Sequence, residues 1–276
     1  MQTVAVLSLK GGVGKTTVVL GLASAAMRRG VRTLVVDLDP QCNATACLEP
    51  EDTGSGLNEV LADPRPAVLR SAIAGSAWGE EVDVLVGSED AEVHNGHHES
   101  GQLTRLTEAL SELGTLVDAG ELPYQLVLLD CPPSLGGLTR SALVAADRAL
   151  LVTEPTIFAV SGVQRAFEAV QAEREKNNPR LQPLGVVVNR VRPRSHEHQF
   201  RLQELREIFG PLVMPVALPD RLAVQQAQGA CLPIHQWGTP GAREVSLAFN
   251  VLLARTLRAG RTRYYPEEDE EDEQLA

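Results

Sequence analysis

The segment SLKGGVGKTT, residues 8–17, combines glycines, lysines and threonines in a spacing that can bind phosphate. It follows an apolar, strand-like run and precedes a stretch of helical periodicity, which is the context that a phosphate loop requires. Its glycines permit backbone conformations in which successive N–H groups point into one concavity, reinforced by the positive end of the next helix. Lys15 would reach the β- and γ-phosphates of a nucleotide, and the Thr16 hydroxyl would ligate Mg²⁺. The expected nucleotide-binding residues of this loop are Gly11, Gly12, Val13, Gly14, Lys15, Thr16 and Thr17.

A second lysine, Lys10, distinguishes this loop from the ordinary GxxxxGK[ST] pattern. That pattern requires glycine at position 9, where this chain has Leu9, and the match is instead to the variant KGGxGKT. The chain contains 22 arginines and three lysines, and two of the three lysines lie in this loop. Because lysine is a compact point charge that arginine does not replace at every site, the loop is expected to need an ammonium at residues 10 to 15.

Three aspartates follow apolar, strand-like runs and are candidates for a metal site. Asp37 and Asp39 lie in VVDLD, and Asp130 ends LVLLD. A carboxylate at the end of a buried strand beside a phosphate loop can hold Mg²⁺, usually through water, because the ion keeps much of its hydration. The alternative for Asp37 or Asp39 is a cap on the loop that follows. The expected metal-site residues are Thr16, Asp37 and Asp130.

The phosphate loop resembles the deviant Walker A motif of the ParA/MinD family of ATPases. The segment VVDLDPQCNAT, residues 35–45, closely resembles the DxDPQxNAT segment of that family, and LVLLDCPP resembles its Walker B strand. Residues 184–190 and 215–234 resemble later strand–loop segments more loosely, so the likeness covers residues 3–258. Cys42 stands where the family usually has glycine, and we expect it to stiffen that loop.

The resemblance implies ATP and Mg²⁺ as cofactors and gives individual residues a role. Lys10 is expected to cross to the nucleotide of a facing subunit and neutralise charge in the transition state, as an arginine finger does. The alternative is a lysine that merely raises the local potential. Asp39 would position or activate the attacking water, and Asp37 would support the metal region. The expected catalytic residues are Lys10, Lys15 and Asp39.

The resemblance also extends to the base of the nucleotide. Asn189 resembles the residue that reads the adenine edge, and Pro219 and Asp220 resemble the loop that covers the base. The guanine-specific run NKxD is absent from the sequence, which favours ATP.

Apolar runs alternate with amphipathic stretches along the chain, as in an α/β fold. The alternation predicts a P-loop NTPase-type, mainly parallel twisted sheet with helices on both faces, in three α/β/α layers. The expected strands are Thr3–Leu9, Thr33–Asp37, Val82–Val86, Leu126–Asp130, Ala149–Thr153, Leu184–Asn189 and Leu212–Val216. The expected helices are Thr16–Arg29, Gln102–Val117, Leu138–Ala146, Val160–Lys176, Glu197–Phe209 and Ala242–Arg258.

The charge of the chain is concentrated near one end. The formal net charge is −11, and the seven acidic residues Glu267–Glu273 supply −7 of it, so the rest carries −4. The predicted organisation is one P-loop ATPase domain, residues 1–263, and an acidic tail, residues 264–276. That tail is expected to be disordered because the acidic run has no apolar residue to bury. The tail is expected either to compete with nucleic acid for nearby arginines or simply to solubilise the protein.

The remaining composition favours a cytoplasmic protein. Four cysteines, none spaced as CxxC, fit a reducing compartment and disfavour a zinc ribbon or redox dithiol. No basic leader with a cleavage site precedes the first apolar run, and no stretch of about 18 apolar residues is present, so neither a signal peptide nor a membrane span is expected.

The function that the resemblance to the ParA/MinD family favours is that of a ParA-like ATPase. Such a protein forms an ATP-dependent sandwich dimer, binds DNA non-specifically while ATP-bound, and hydrolyses ATP when a ParB-like or cargo-adaptor protein stimulates it. It partitions or positions DNA or another large cargo and is nucleoid-associated in the ATP-bound form. DNA binding requires a basic surface despite the overall acidity. The candidates for it are Arg190, Arg192, Arg194, Arg221, Arg255 and Arg258.

Two other functions share the same scaffold. A MinD-like membrane-cycling ATPase needs a C-terminal basic amphipathic helix, whereas this chain ends in an acidic run that anionic lipid would repel. A metabolic enzyme, such as an iron–sulfur reductase or an ATP-dependent ligase, is the other alternative. The reductase needs paired cysteines at a dimer seam, and Cys131 has no plausible partner in the expected region of the sequence.

Overall fold

A seven-stranded sheet forms the centre of the protein in the computed structural model, which describes residues 1–96, 100–115 and 123–261. The strands are β1 (Gln2–Leu7), β2 (Thr33–Asp37), β3 (Ile73–Ser76), β4 (Gly79–Leu85), β5 (Leu126–Asp130), β6 (Arg148–Thr153) and β7 (Gln182–Val188). Their spatial order is β3-β4-β2-β5-β1-β6-β7. The β3–β4 pair is antiparallel and the other pairs are parallel. The predicted mainly parallel sheet is confirmed.

Helices cover both faces of this sheet. The helices of the described residues are α1 (Lys15–Met27), α2 (Asn43–Leu48), α3 (Leu57–Ala62), α4 (Pro66–Ala72), α5 (Ser100–Leu103), α6 (Arg105–Ser111), α7 (Gly137–Ala145), α8 (Ala159–Lys176), α9 (His196–Phe209), α10 (Leu222–Gly229) and α11 (Pro240–Arg261). One apolar core lies between the sheet and α3, α4, α6, α7, α8 and α9. The other lies between the sheet and α1, α2, α10 and α11. The three α/β/α layers are therefore as expected.

The predicted strand Leu212–Val216 is wrong. The structure has a 3₁₀ turn at Gly210–Leu212, and the segment pairs with β7 through the single bridge Val186–Val213. Pro215 has no N–H to donate to a ladder, so this segment cannot continue as a strand. The strand that the sequence pattern missed is β3, a four-residue, partly exposed edge strand joined to β4 by a two-residue turn.

The predicted helix Gln102–Val117 is divided in the structure. Helix α5 ends at Leu103, α6 begins at Arg105, and a 3₁₀ turn follows at Glu112–Thr115. Positions 116 and 117 lie outside the described residues, as does the predicted acidic tail, residues 264–276. The short helices α2, α3, α4 and α10 lacked a long enough apolar period to be predicted. Within the described ranges, no helix combines the length and apolarity that crossing a membrane requires.

Helices α1 and α11 pack so closely against each other that their contact requires a glycine in α1. Gly21 lies in the middle of α1, and the ring of Phe249 from α11 rests directly on its backbone. Phe249 is fully buried, and the cavity beside the ring is only about 20 Å³, less than the volume of a methyl group. This contact fixes α1, and therefore the loop that precedes it, against the body of the protein.

The substitution Gly21→Ala should lower the free energy of unfolding by about 1–3 kcal/mol, because the added Cβ would overlap the Phe249 ring. The matched control is Gly162→Ala in α8, where an added Cβ meets nothing within 4 Å. That control should raise stability by about 0.5–1 kcal/mol through helix propensity. Urea unfolding of both variants measures the difference, and equal stabilities would contradict the packing argument.

Candidate functional site

The phosphate loop, the aspartates and the later loops meet at one edge of the sheet. Strand β1 is flanked by β5 and β6, and β2 lies beyond β5, all running in the same direction. The segments that follow these strands therefore emerge together at their carboxyl ends. Ligands of open α/β sheets bind at such an edge, where the strand order reverses. The sequence motifs are brought together by this topology.

The loop between β1 and α1 has the backbone conformation that its glycines predict. Gly12 and Gly14 adopt φ values of 79° and 93°, in the left-handed region, and α1 begins at Lys15. A Cβ on Gly14 would overlap the side-chain amide of Asn189. The Asn189 Nδ2 atom donates a 2.8 Å hydrogen bond to the Val13 carbonyl oxygen. The loop is thus held from β7 as well as by its own sequence.

Arg190 adds a second brace to the same loop. Its Nη1 atom donates hydrogen bonds of 2.7 Å to the Gly12 carbonyl oxygen and to Glu154 Oε1. The residue itself adopts a positive φ of 54°, which is uncommon for a side chain of this size. Arg190 therefore ties the loops after β1, β6 and β7 together. The sequence suggested only a DNA contact for it.

The two lysines of the loop have different environments. Lys15 is the first residue of α1 and is 6% exposed, so its chain is enclosed beside the loop. Lys10 is exposed, and its ammonium has no hydrogen bond or ion pair with any described residue. The Thr17 hydroxyl accepts a 3.2 Å hydrogen bond from Gln228 Nε2 of α10. Thr16 is half-buried and lies close to Asp130.

Asp37 and Asp130 form a buried carboxylate pair next to this loop. They are opposite each other on adjacent strands, and both are fully buried. Burial, and then the charge of Asp37, raises the pKa of Asp130 well above its usual range, although the Thr16 hydroxyl and the Lys15 ammonium oppose the rise. Burial also raises the pKa of Asp37 to about 6, against hydrogen bonds from Thr45.

The carboxylate pair suits a hard divalent cation. Neither oxygen of Asp130 has a hydrogen-bond partner among the described residues. Two buried carboxylates and a nearby Thr16 hydroxyl supply the oxygen ligands that Mg²⁺ prefers. A buried polar group without a partner needs an explanation, and a cation that coordinates directly or through water provides one.

Thr45 is a site residue to which the sequence gave no role. Its backbone N–H and its hydroxyl each donate a 2.8 Å hydrogen bond to Asp37 Oδ2, and the Gly87 N–H donates to the hydroxyl. Thr45 thus fixes one oxygen of Asp37. The other oxygen, Oδ1, accepts a 3.3 Å hydrogen bond from the Asp39 N–H. The Asp39 side chain is half-buried and accepts from the Gln41 N–H.

The residues expected to contact adenine lie at the same edge but already have partners. The Asn189 amide donates to the phosphate loop, as described above. Pro219 forms an isolated bridge with Val191, and the Asp220 N–H donates to the Val191 carbonyl oxygen. The Asp220 carboxylate accepts from Arg192. Their proximity to the loop agrees with the sequence analysis, and their role in binding a base stays a prediction.

Comparison with known proteins agrees with this geometry. A family model described as an AAA domain matches residues 1–183. The chromosome-partitioning ATPase Soj of Thermus thermophilus is 32% identical over 261 residues, which cover 94% of this chain and 98% of Soj. The chromosome partitioning protein ParA of Caulobacter vibrioides is 30% identical over 243 residues, which cover 85% of this chain and 86% of that one.

The chain belongs to the ParA/MinD family.

A solved structure of the same architecture extends the comparison. Cobyrinic acid a,c-diamide synthase from Mycobacterium smegmatis, with a bound ATP analogue and magnesium, is 25% identical with a TM-score of 0.75. The alignment covers 95% of this chain and 96% of that chain. The three-layer fold is thus shared by family members whose names indicate partitioning and by a protein whose name indicates biosynthesis.

The arginines suggested for DNA binding do not form one free basic patch in this ParA/MinD-family protein. Arg190 pairs with Glu154, Arg192 with Asp220, and Arg221 with Glu244. Arg255 and Arg258 lie on α11 and line a separate cleft at the opposite edge of the sheet. Arg194 is exposed. Three of the six positions are therefore paired with carboxylates, two line the separate cleft, and Arg194 belongs to neither group.

Cys42, in the loop between β2 and α2, adopts a positive φ of 51°. We expect Cys42→Gly to be more stable than Cys42→Ala by about 1 kcal/mol, because both lose the thiol and only glycine relieves the left-handed conformation. Urea unfolding of the two variants measures this difference. An alanine variant as stable as the glycine variant would mean that the loop relaxes to another conformation.

Asp130→Asn should stabilise the protein when no nucleotide or divalent cation is added. At neutral pH the change removes a buried charge and should raise the free energy of unfolding by about 1–3 kcal/mol. The native carboxylates bind protons more tightly in the folded state, so stability should fall as the pH rises from about 4 to about 6. Chemical unfolding at several pH values measures both effects.

The control for this prediction is Asp90→Asn, because Asp90 is exposed. That variant should leave both the stability and its pH dependence unchanged. A destabilised Asp130→Asn variant would contradict the cost assigned to the buried pair.

Proposed function

We propose that this protein is an Mg²⁺-dependent ATPase that forms a face-to-face dimer when ATP is bound, and that this dimer binds DNA without sequence preference. Hydrolysis is stimulated by an activating protein and releases the DNA, so that cycles of binding and release partition DNA or position another large cargo. The observation that carries the proposal is the exposed Lys10 ammonium, which has no partner among the described residues. Its neighbour Lys15 is already enclosed beside the same loop.

The chain's own residues have distinct tasks in this proposal. The loop N–H groups and Lys15 hold the phosphates, and Thr16, Asp37 and Asp130 hold the hydrated cation. When bound, Mg²⁺ neutralises charge on the phosphate oxygens. Asp39, half-buried at the rim of the pair, positions the attacking water. Asn189, Pro219 and Asp220 line the side on which the base binds.

Lys10 is exposed at the rim, so it can reach a nucleotide held by a second subunit. An added cation near the transferred phosphoryl group stabilises the transition state, as arginine fingers do. A monomer would then bind ATP and lack one catalytic cation. Hydrolysis would consequently require a dimer.

Exposed apolar side chains at the same edge support a face-to-face arrangement. Ile157 and Phe158, in the loop after β6, are 64% and 67% exposed, and Leu135, in the loop after β5, is 41% exposed. The loops after β1 and β5 lie side by side at this edge, because a Cβ added to Gly11 would be 3.9 Å from Pro133 Cβ. Apolar groups that flank a binding site are typical of an interaction surface.

Subunit mixing tests the role of Lys10. Lys10→Ala and Asp39→Ala should each lower the ATPase rate at least about a hundredfold. In an equal mixture of the two variants, about half of the dimers contain one subunit of each. In such a dimer the Lys10→Ala subunit keeps its own Asp39 and receives Lys10 from its partner, so one of the two sites is complete. About a quarter of the native rate should therefore return. Lys176→Ala is the matched control, because it removes the lysine outside the loop. It should leave the rate unchanged.

Nucleotide binding and oligomeric state are measured beside the rates. A fluorescent ATP analogue should bind Lys10→Ala about as tightly as the native protein, because Lys15 and Thr16 are intact. If sedimentation detects mixed dimers and the mixture stays as slow as each variant alone, then Lys10 does not act across the interface.

A biosynthetic ligase is the second candidate, and the similarity to the diamide synthase favours it. A ligase consumes ATP in step with an acceptor molecule, whereas the proposed ATPase needs none. ATPase rates with duplex DNA, with anionic lipid vesicles and with neither distinguish the partitioning, membrane-cycling and ligase functions. Stimulation by DNA without an acceptor supports the proposal, and it also implies a cytoplasmic, nucleoid-associated protein.

A further inference from the structure

A cleft of about 670 Å³ lies at the sheet edge opposite the phosphate loop. It is bounded by the second half of α11 and by the first residues of β6 and β7. Because these strands are parallel to β1, their first residues are at the far edge from the nucleotide site. The cleft therefore belongs to a different surface.

Four arginines make this cleft strongly basic. The cleft is lined by Arg29, Arg148, Arg255 and Arg258, and no carboxylate occurs among its described lining residues. The hydrogen bonds that Arg29 and Arg255 donate go to the neutral carbonyl oxygens of Asn250 and Pro211. The exposed guanidinium groups of Arg29, Arg255 and Arg258 around one concavity give a site for a chain of anions.

The cleft also has an apolar side that a simple anion would not use. Leu247 and Val251 of α11 are 66% and 45% exposed, and Leu184 and Pro215 face them from the β7 side. Aromatic side chains pack well against such a surface and also stack on guanidinium groups. The cleft thus suits a segment that carries both aromatic and acidic residues.

The last turn of α11 is fixed at the rim of this cleft. Arg148 Nη1 and Nη2 donate 2.8 Å hydrogen bonds to Gln182 Oε1 and to the Ala259 carbonyl oxygen. Gly260 lies against the start of β1, where an added Cβ would be 2.6 Å from Gln2 Oε1. The last turn of α11 is therefore held at the cleft by these contacts.

The sequence beyond α11 has the matching chemistry. Tyr264 and Tyr265 are followed by the acidic run Glu267–Glu273. Glu267 is six positions after Arg261, and an extended chain over that interval spans about 20 Å. The helix from Leu247 to Ala259 is about 18 Å long, so the acidic run can reach back along the whole cleft.

We infer that the acidic C-terminal segment, residues 264–276, binds in this arginine-lined cleft of its own chain. The tyrosines contact the apolar side and the carboxylates pair with the arginines. Tethering gives the segment an effective concentration of about 1 mM, which favours it over other polyanions. The bound segment screens the basic charge of α11 and weakens non-specific binding of nucleic acid there. This inference does not depend on the nucleotide site or on ATP.

Cleavage of the full-length protein by glutamyl endopeptidase tests the inference. At low salt, the double variant Arg255→Ala/Arg258→Ala should lose its tail about tenfold faster than the native protein, and about 0.5 M salt should remove the difference. The matched control is Arg165→Ala/Arg206→Ala. It has the same change in charge, on two exposed residues of α8 and α9 that cover the other sheet face. That control should behave like the native protein.

The inference would be overturned if the native protein and the cleft variant lost their tails at the same rate at low salt. It would also be overturned if the control variant lost its tail as fast as the cleft variant. The affinity for a short DNA duplex is a second measurement. It compares the native protein with a variant in which the seven acidic residues Glu267–Glu273 are replaced by the corresponding amides. DNA affinity should rise about fivefold on that replacement, and Arg255→Ala/Arg258→Ala should abolish the rise. A cleft that binds DNA and does not protect the tail would also overturn it.

Discussion

Asp37 and Asp130 end adjacent strands and are buried side by side, and the rest of the site is arranged around the free-energy cost of placing them there. Both pKa values are raised, chiefly because burial penalises the charged form. Thr45 offsets part of this cost for Asp37 through two hydrogen bonds, whereas the oxygens of Asp130 have no such partner among the described residues. The site is therefore electrostatically prepared for a cation.

The phosphate loop is held from several directions. Asn189 and Arg190 come from the end of β7 and bind loop carbonyl oxygens, and Gln228 reaches Thr17 from α10. These contacts join the loop to segments more than 170 residues away along the chain. A change in the loop would consequently be felt at the end of β7 and in α10.

The sheet separates two charged surfaces of different character. The carboxyl ends of the strands carry the phosphate loop, the buried aspartates and arginines that are paired with carboxylates. The opposite edge carries a cleft with four arginines and no lining carboxylate in the described part of the chain. The net charge of −11 does not reveal the basic cleft, because the acidic run near the end of the sequence contributes more negative charge than the four arginines contribute positive charge.

The phosphate loop, the aspartates and most of the sheet could be predicted from the amino-acid sequence alone, because each is encoded in a short run of neighbouring residues. Glycine spacing before Lys15 and apolar runs ending in Asp37 and Asp130 are local signals. The sequence could not place the strand proposed at Leu212–Val216, where Pro215 interrupts pairing, and it missed the short edge strand β3. Only the tertiary structure revealed that Thr45 positions Asp37, that Arg190 braces the loop and that α11 forms a basic cleft with β6 and β7. Those contacts join residues distant in the chain, and no periodic pattern records which distant residues the folded sheet brings together.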